Sequence, residues 1–452
     1  MSFPRYPEYK DSGVEWLGEV PGHWQVQRLA NLFRQVAEDG RDDLPVLTVS
    51  IHSGVSDKEF DDNELDRKVT RIEDRTSYKR VAPGDLVYNM MRAWQGGFGT
   101  VTVAGLVSPA YVVARPIKRI STFLVEQQLR TPAAVEEMRR HSRGVTDFRL
   151  RLYWEEFKTL SVVVPPPIEE AAIAAFLDRE TAKIDALVAE QQNLIALLKE
   201  KRQALISHAV TKGLDPDVPM KDSGVAWLGE VPAHWVVKAL KNVILRLQSG
   251  VSVNAIDTPA AEGEIGVLKT SCVYGGWFDP AENKAVLPEE CERVACPVTA
   301  GTLIVSRMNT PDLVGAAGIV RESHPELFLP DRLWQVYFAD ANAAFIHYWT
   351  HSPLYRAQVQ QVCAGTSSSM QNLSQDQFRA FSLALPPERE QKAIAAFLDR
   401  ETLKLDELVT QAASTIDLLQ ERRTALISAA VTGKIDVRHL AVVPADRTPE
   451  PA

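Results

Sequence analysis

AIAAFLDRET fills residues 172–181, and the same ten letters return at 393–402. Ahead of each copy stands a longer repeat, KDSGVEWLGEVPGHW at 10–24 and KDSGVAWLGEVPAHW at 221–235. The two kinds of repeat alternate, displaced by 221 and 211 residues, so one unit is used twice and the sequence between the shared pieces has diverged. A period this long marks a duplicated domain, because solenoid repeats run about 20 to 50 residues. A shared frame with unlike inserts suggests one scaffold presenting two different recognition surfaces.

Each decapeptide opens a long helical stretch that follows a proline break, Pro165-Pro166-Pro167 in the first copy and Pro386-Pro387 in the second. Spacings of 3 and 4 place Leu177, Ile184, Leu187, Leu194, Leu198 and Leu205 on one seam, and Leu398, Leu405, Leu408, Thr415, Leu419 and Leu426 on the other. That period of about 3.5 residues is a coiled-coil seam. Neither stretch contains an internal Pro or Gly, and neither is apolar all round. The partner expected for each helix is therefore the other, in a rod of roughly 60 Å at about 1.5 Å per residue. The alternative is an amphipathic helix packed on its own globular block. Two equivalent helices in one duplicated chain favour an antiparallel, pseudo-two-fold pairing with a block at each end. Inverted half-sites on a DNA duplex ask for that symmetry.

The blocks are mixed. In the first, short β-rich runs (45–51, 85–91, 100–103, 111–114) alternate with turn signals such as Pro83-Gly84 and Gly96-Gly97, and at least one helix is expected near 121–141. The fold class is thus α+β, with two pseudo-symmetric mixed α/β domains separated by a long antiparallel two-helix coiled coil. The division runs 1–164 (lead-in 9–25), helix 165–213, 214–385 (lead-in 220–236), helix 386–437, and a Pro-rich tail 438–452 expected to be disordered.

The hydrophobic fraction of 45% and charged fraction of 24% are those of ordinary globular protein. There is no apolar run long enough to span a membrane and no signal-peptide core, so a cytoplasmic protein is expected. Four cysteines, all in the second half, fit reduced thiols and no common zinc spacing, and His324, His347 and His351 complete none. No metal site is expected. The net charge of −9 is unusual for a free-standing DNA binder. Residues 1–160 carry 23 basic and 23 acidic side chains, and 218–385 carry 12 and 16, so DNA binding would need local patches or a basic partner.

The whole motif set, in order and twice, resembles the specificity subunits of type I restriction-modification systems. It comprises DSGVxWLGEVPxHW, the runs PGDLVYNMMRAW and AGTLIVSRMNTP, PPIEEAAIAAFLDRET or PPEREQKAIAAFLDRET, and ALISxAVT. The first copy departs in having Glu169-Glu170 where the second has Glu390-Gln391. The resemblance implies two target-recognition domains, each reading one half of a split sequence in double-stranded DNA. It implies helices that space the domains and dock two methyltransferase subunits, with translocase/nuclease subunits joining the complex. It implies no chemistry and no cofactor in this chain, S-adenosylmethionine, ATP and Mg²⁺ belonging to the partners. The residues agree as far as they go: there is no phosphate-binding G-x-x-x-x-G-K-[ST] loop, no methyltransferase tetrad and no G-x-G-x-x-G after a strand.

What the copies share should serve the frame, and what differs should read DNA. Trp16, Trp24, Trp227 and Trp235 are therefore read as packing. The densest basic patch is RRHSRGVTDFRLR, residues 139–151. There Arg139, Arg140, Arg143, Thr146, Arg149 and Arg151 are candidates for phosphates or the guanine edge, and a solvated basic face is the alternative. The equivalent place in the second block offers Thr366, Ser367, Ser368, Gln371 and Asn372, suited to phosphates or adenine, or to an ordinary cap and turn. Asn89, Arg92, Arg307 and Asn309 follow the two related strands and complete the candidates. Two other classes of function remain: a tandem coiled-coil adaptor that never touches nucleic acid, and a self-sufficient enzyme active on DNA without partners.

Overall fold

The computed structural model describes residues 3–51, 54–59, 75–144, 150–363 and 370–440. It divides into two units, Met1–Gln191 with Ser414–Ala452, and Gln192–Ala413. Eight α-helices occur among the described residues: α1 (Thr122–Leu129), α2 (Pro132–His141), α3 (Trp154–Phe157), α4 (Pro167–Lys212), α5 (Ala343–Thr350), α6 (Pro353–Cys363), α7 (Gln375–Ala380) and α8 (Glu388–Val431). The helical stretch expected near 121–141 holds two helices, α1 and α2. Thr131 closes α1 and caps α2, accepting from Ala134 N, and Pro132 stands at the first position of α2, where its missing N–H costs nothing.

The frame is built alike in both units. In unit 1 an antiparallel sheet runs Phe33–Val36, Tyr111–Pro116, Leu86–Asn89, Phe98–Thr100. In unit 2 the same order is Ile244–Ser249, Leu333–Phe338, Leu303–Ser306, Ala317–Ile319. A two-stranded pair ties the start of each block to its end, Gln25–Arg28 with Ser161–Val164 and Val236–Ala239 with Ser382–Leu385. The inserts differ. Unit 2 adds a five-stranded sheet (Ala255–Ile256, Asn283–Val286, Gly266–Leu268, His324–Phe328, Pro297–Val298). Of the β-rich run at 45–51 only Val49–Ser50 is strand.

α4 and α8 begin on the prolines, with Glu169 and Glu170, or Glu388 and Glu390, in the first turn, where carboxylates complement the helix dipole. They stop at Gly213 and Gly433, both at positive φ, a conformation that glycine adopts without a Cβ clash. Within each unit the helix segments run antiparallel. In unit 1 Arg179 donates to Leu440 O at 2.6 Å and Asp185 pairs with Arg423 at 3.0 Å. In unit 2 Arg202 lies 3.2 Å from Asp406, and Leu205 and Ile206 pack into the core that holds Leu398.

The seam itself is corrected by one position. Leu187, Leu194 and Leu408 are 45%, 42% and 46% exposed, and Thr415 is exposed as well. The less exposed positions are Leu177, Thr181, Ile184, Val188, Gln191, Ile195, Leu198, Arg202 and Leu205, repeated as Leu398, Thr402, Leu405, Val409, Ala412, Ile416, Leu419, Arg423 and Leu426. The heptad is right, but from each anchoring leucine or isoleucine the helix turns residue i+4 inward, not i+3. Ile184→Val should therefore cost about 0.5–1.5 kcal/mol. Leu187→Ala, the larger truncation, should stay within about 0.5 kcal/mol. Urea unfolding of the two variants checks the ranking.

The lead-ins dock through one carboxylate each. Trp24 and Trp235 are fully buried. In unit 1 Glu169 accepts from Trp24 Nε1 at 2.9 Å and Tyr6 Oη at 3.1 Å, and pairs with His23 Nε2 at 2.6 Å. In unit 2 Glu390 takes Trp235 Nε1 at 3.1 Å and His234 Nε2 at 2.7 Å. Packing is thus the role of these two tryptophans, whereas Trp227 is 40% exposed. The next residue bonds the N-cap of a helix earlier in the same block. Gln391 Oε1 accepts from Asn342 N at 2.7 Å, and Glu170 accepts from the Ser121 backbone, burial pushing its carboxyl up. The Glu-for-Gln departure of the first copy therefore leaves the contact in place.

Candidate nucleic-acid interface

In unit 1 the buried strand Leu86–Asn89 delivers the chain into a tight turn. Arg92 N bonds Asn89 O at 2.9 Å, and Asn89 Oδ1 accepts from Met91 N at 2.9 Å. The turn leaves Arg92 exposed, with Nη1 donating to Gln95 Oε1 at 2.8 Å. Beside it Arg143 and Arg151 exchange two backbone hydrogen bonds of 2.9 Å, and Leu152 N bonds Met90 O at 2.9 Å. The structure thus brings together Asn89, Arg92, Arg143 and Arg151, from segments some 50 residues apart. Arg143 pairs with Glu156. Arg139 and Arg140 are exposed in the last turn of α2, where cations suit the helix dipole, and Arg140 lies 3.5 Å from Glu137. Thr146 and Arg149 lie outside the described residues.

Unit 2 repeats this construction. After Leu303–Ser306 the chain continues as Met308–Asn309, which pairs antiparallel with Gln371–Asn372. Leu373 N bonds Arg307 O at 2.8 Å, closing the ladder. Two segments singled out separately in the sequence are therefore neighbours. Asn372 is exposed and Gln371 half-buried. Arg307 is half-buried, its guanidinium 5.9 Å from the centre of the Trp334 ring. Asn309 is buried and its amide is engaged, Nδ2 with Tyr274 Oη at 2.6 Å and Ser306 Oγ at 3.3 Å, Oδ1 with Thr310 N at 2.9 Å. It shapes the turn and does not present itself outward. Thr366, Ser367 and Ser368 lie outside the described residues.

Each surface offers arginine or amide donors at the end of a sheet strand, and such donors are the groups that commonly meet phosphate oxygens or base edges. Among the described residues no group of three His, Cys, Asp or Glu is arranged to hold a metal ion, and no helix is long and apolar enough to cross a membrane. Two exposed aromatics beside these surfaces, Tyr153 and Tyr274, were not distinguished in the sequence from the many core aromatics. Nothing in one sequence separates them.

The fold of the chain is similar to that of solved chains from type I restriction-modification systems. Over 91% of the chain and 98% of the other, it matches a solved chain from a study of complex assembly and conformational transition in a type I restriction-modification system (TM-score 0.63, 17% identity). The HsdS subunit from Thermoanaerobacter tengcongensis matches over 92% and 98% (TM-score 0.50, 16% identity). Among curated proteins the chain is 24% identical over 286 residues to the EcoKI specificity subunit of Escherichia coli (strain K12), covering 62% of this chain and 58% of that one. To the EcoEI specificity subunit of Escherichia coli it is 23% identical over 197 residues, 43% and 33% of the two chains. The aligned region thus spans a little over half of the first relative and a third of the second. No family model matches. The resemblance read from the repeated motifs holds.

Proposed function

We propose that this chain is the DNA sequence-specificity subunit of a type I restriction-modification complex. Its two blocks are target-recognition domains, each reading one half of a bipartite site in double-stranded DNA, and α4 with α8 form the antiparallel strut that spaces them. The strut docks two methyltransferase subunits, and translocase/nuclease subunits complete the assembly. The chain is a non-catalytic, cytoplasmic reader, with S-adenosylmethionine, ATP and Mg²⁺ used by its partners.

One observation supports this above the rest. In both units two sequence-distant polar segments converge on the end of the same sheet strand, while the residues they bring differ. An adaptor would have no use for one framework with two unlike polar tips. The net charge of −9 fits a subunit that leaves long-range attraction to basic partners. Gel-shift titration with and without the methyltransferase subunits tests the proposal. The isolated chain should bind weakly and with a steep salt dependence, and the assembled complex tightly and sequence-specifically. Tight, specific binding by the chain alone would contradict the division of labour, and no DNA binding by the assembled complex would end the proposal.

A further inference from the structure

Beside the polar groups, each of the two surfaces also displays a tyrosine. Tyr274 follows the 3₁₀ turn Thr270–Val273. Its hydroxyl accepts from Asn309 Nδ2 at 2.6 Å and lies 2.8 Å from Thr270 Oγ1. The ring nevertheless remains 38% exposed. A surface tyrosine ordinarily packs its ring and turns its hydroxyl to water. Here the polar end is tied down and the apolar body is shown. Its partner Asn309 belongs to the strand pair with Gln371–Asn372, so the ring stands beside the polar tip of unit 2.

Unit 1 also shows a tyrosine beside its polar strand end, from another part of the chain. Tyr153 is 41% exposed and directly follows Leu152, whose N–H bonds Met90 O at 2.9 Å next to the Arg143–Arg151 pair. The tyrosine of unit 2 precedes its central strand in sequence, and that of unit 1 follows the second polar segment. Two unlike blocks thus each set one tyrosine against a polar strand end. Donors and acceptors on a base edge are met by Arg, Asn and Gln, and the remaining feature of the major groove is the apolar 5-methyl of thymine.

We propose that Tyr274 and Tyr153 are specificity-determining contacts of the second and first reader, each laying its ring on the C5 edge of a thymine in its own half-site. The inference rests on the DNA-reading function proposed above. The test produces the complete methyltransferase complex, with wild-type chain or with Tyr274→Ala, Tyr274→Phe or Tyr153→Ala, in a host free of its own adenine methylation, and maps the methylated adenines.

Tyr274→Ala should relax discrimination at one A·T position of one half-site roughly tenfold or more, leaving the other half unchanged. Tyr153→Ala should do the same to the opposite half, and Tyr274→Phe, which keeps the ring, should preserve the wild-type motif. Thermal melting of each complex establishes that it is folded. An unaltered motif in both alanine variants overturns the assignment of the tyrosines while leaving the DNA-reading function standing. Loss of methylation at every site in a folded Tyr274→Ala complex also counts against it, because losing one apolar base contact should relax the motif without abolishing recognition. If the wild-type complex gives no methylation motif that depends on this chain, the function itself falls, and the tyrosine contacts with it.

Discussion

Glu169→Ala should destabilise unit 1 by about 3–5 kcal/mol. The carboxylate is buried, and it serves the Tyr6 hydroxyl, the Trp24 indole N–H and His23 together. Truncation leaves two buried donors with nothing to accept them, at about 1–3 kcal/mol each, and opens space in the cluster of Tyr6, Trp24 and Phe176. Glu390→Ala should cost less, about 1–2 kcal/mol. Its side chain is 29% exposed, and it holds Trp235 and His234 with no tyrosine beside them, so water replaces part of what is lost. Glu169→Gln should fall between, since one oxygen can still serve an N–H or O–H while the new amide group faces His23. Urea unfolding of the three variants gives the order. Equal losses at Glu169 and Glu390 would show that the extra tyrosine carries no weight.

Mild acid should weaken unit 2 before it weakens the carboxylate network. His347 is buried and His351 mostly enclosed one helical turn on, with ring centres 4.7 Å apart. Desolvation first, then His351 and the neighbouring arginines Arg321 and Arg202, hold His347 well below the ordinary histidine range. Desolvation and Arg202 bring His351 down to about 4. Asp399 and Asp406 are near but engaged, Asp399 by Arg321 and the Tyr348 hydroxyl, Asp406 by Arg202.

The sign follows from which state takes up the proton. Below an unfolded value near 6.5 the unfolded chain binds protons that the folded one refuses. Stability therefore falls as the pH drops from about 6.5 toward 4. His351 alone should remove about 2 kcal/mol between pH 7.5 and pH 5, and His347 acts in the same direction. Carboxylates held low by their partners, such as Glu38 with Arg80 and Arg115, contribute only at more acid pH, as they become protonated. In His351→Gln the slope between pH 6.5 and 5 should flatten in urea melts. If it does not, the imidazole is not the group responsible.

The long helices were almost fully legible, because their boundaries are written in chemistry. Proline with acidic residues opens each, and glycine closes it. The seam was legible in period and at its anchors, but not at Leu187, Leu194, Leu408 and Thr415. Leucine is common on both sides of the true stripe, and only packing chooses Val188 over Leu187. Strands that carry hydrophobic runs, such as Leu86–Asn89, could be read locally. The five-stranded sheet of unit 2 could not. Its members are two to five residues long, pair across gaps of up to about 60 positions in one mixed sheet, and one begins with proline. In the interface the basic and amide residues were visible as types. That Met308–Asn309 and Gln371–Asn372 pair, or that Asn309 turns inward onto Tyr274, depends on tertiary closure that no local spacing encodes.

Unit 1 is stitched from both extremities of the polypeptide, with Leu426, Ala430, Val431 and Val437 in the same core as Tyr6 and Trp24, whereas unit 2 is one uninterrupted stretch. During synthesis the part begun first is consequently the part finished last. Its opening strands leave the ribosome more than 400 residues ahead of the apolar side chains that complete their interior. The later-made half can mature while the earlier one still waits, and over that interval the exposed face of unit 1 is where chaperones would be needed.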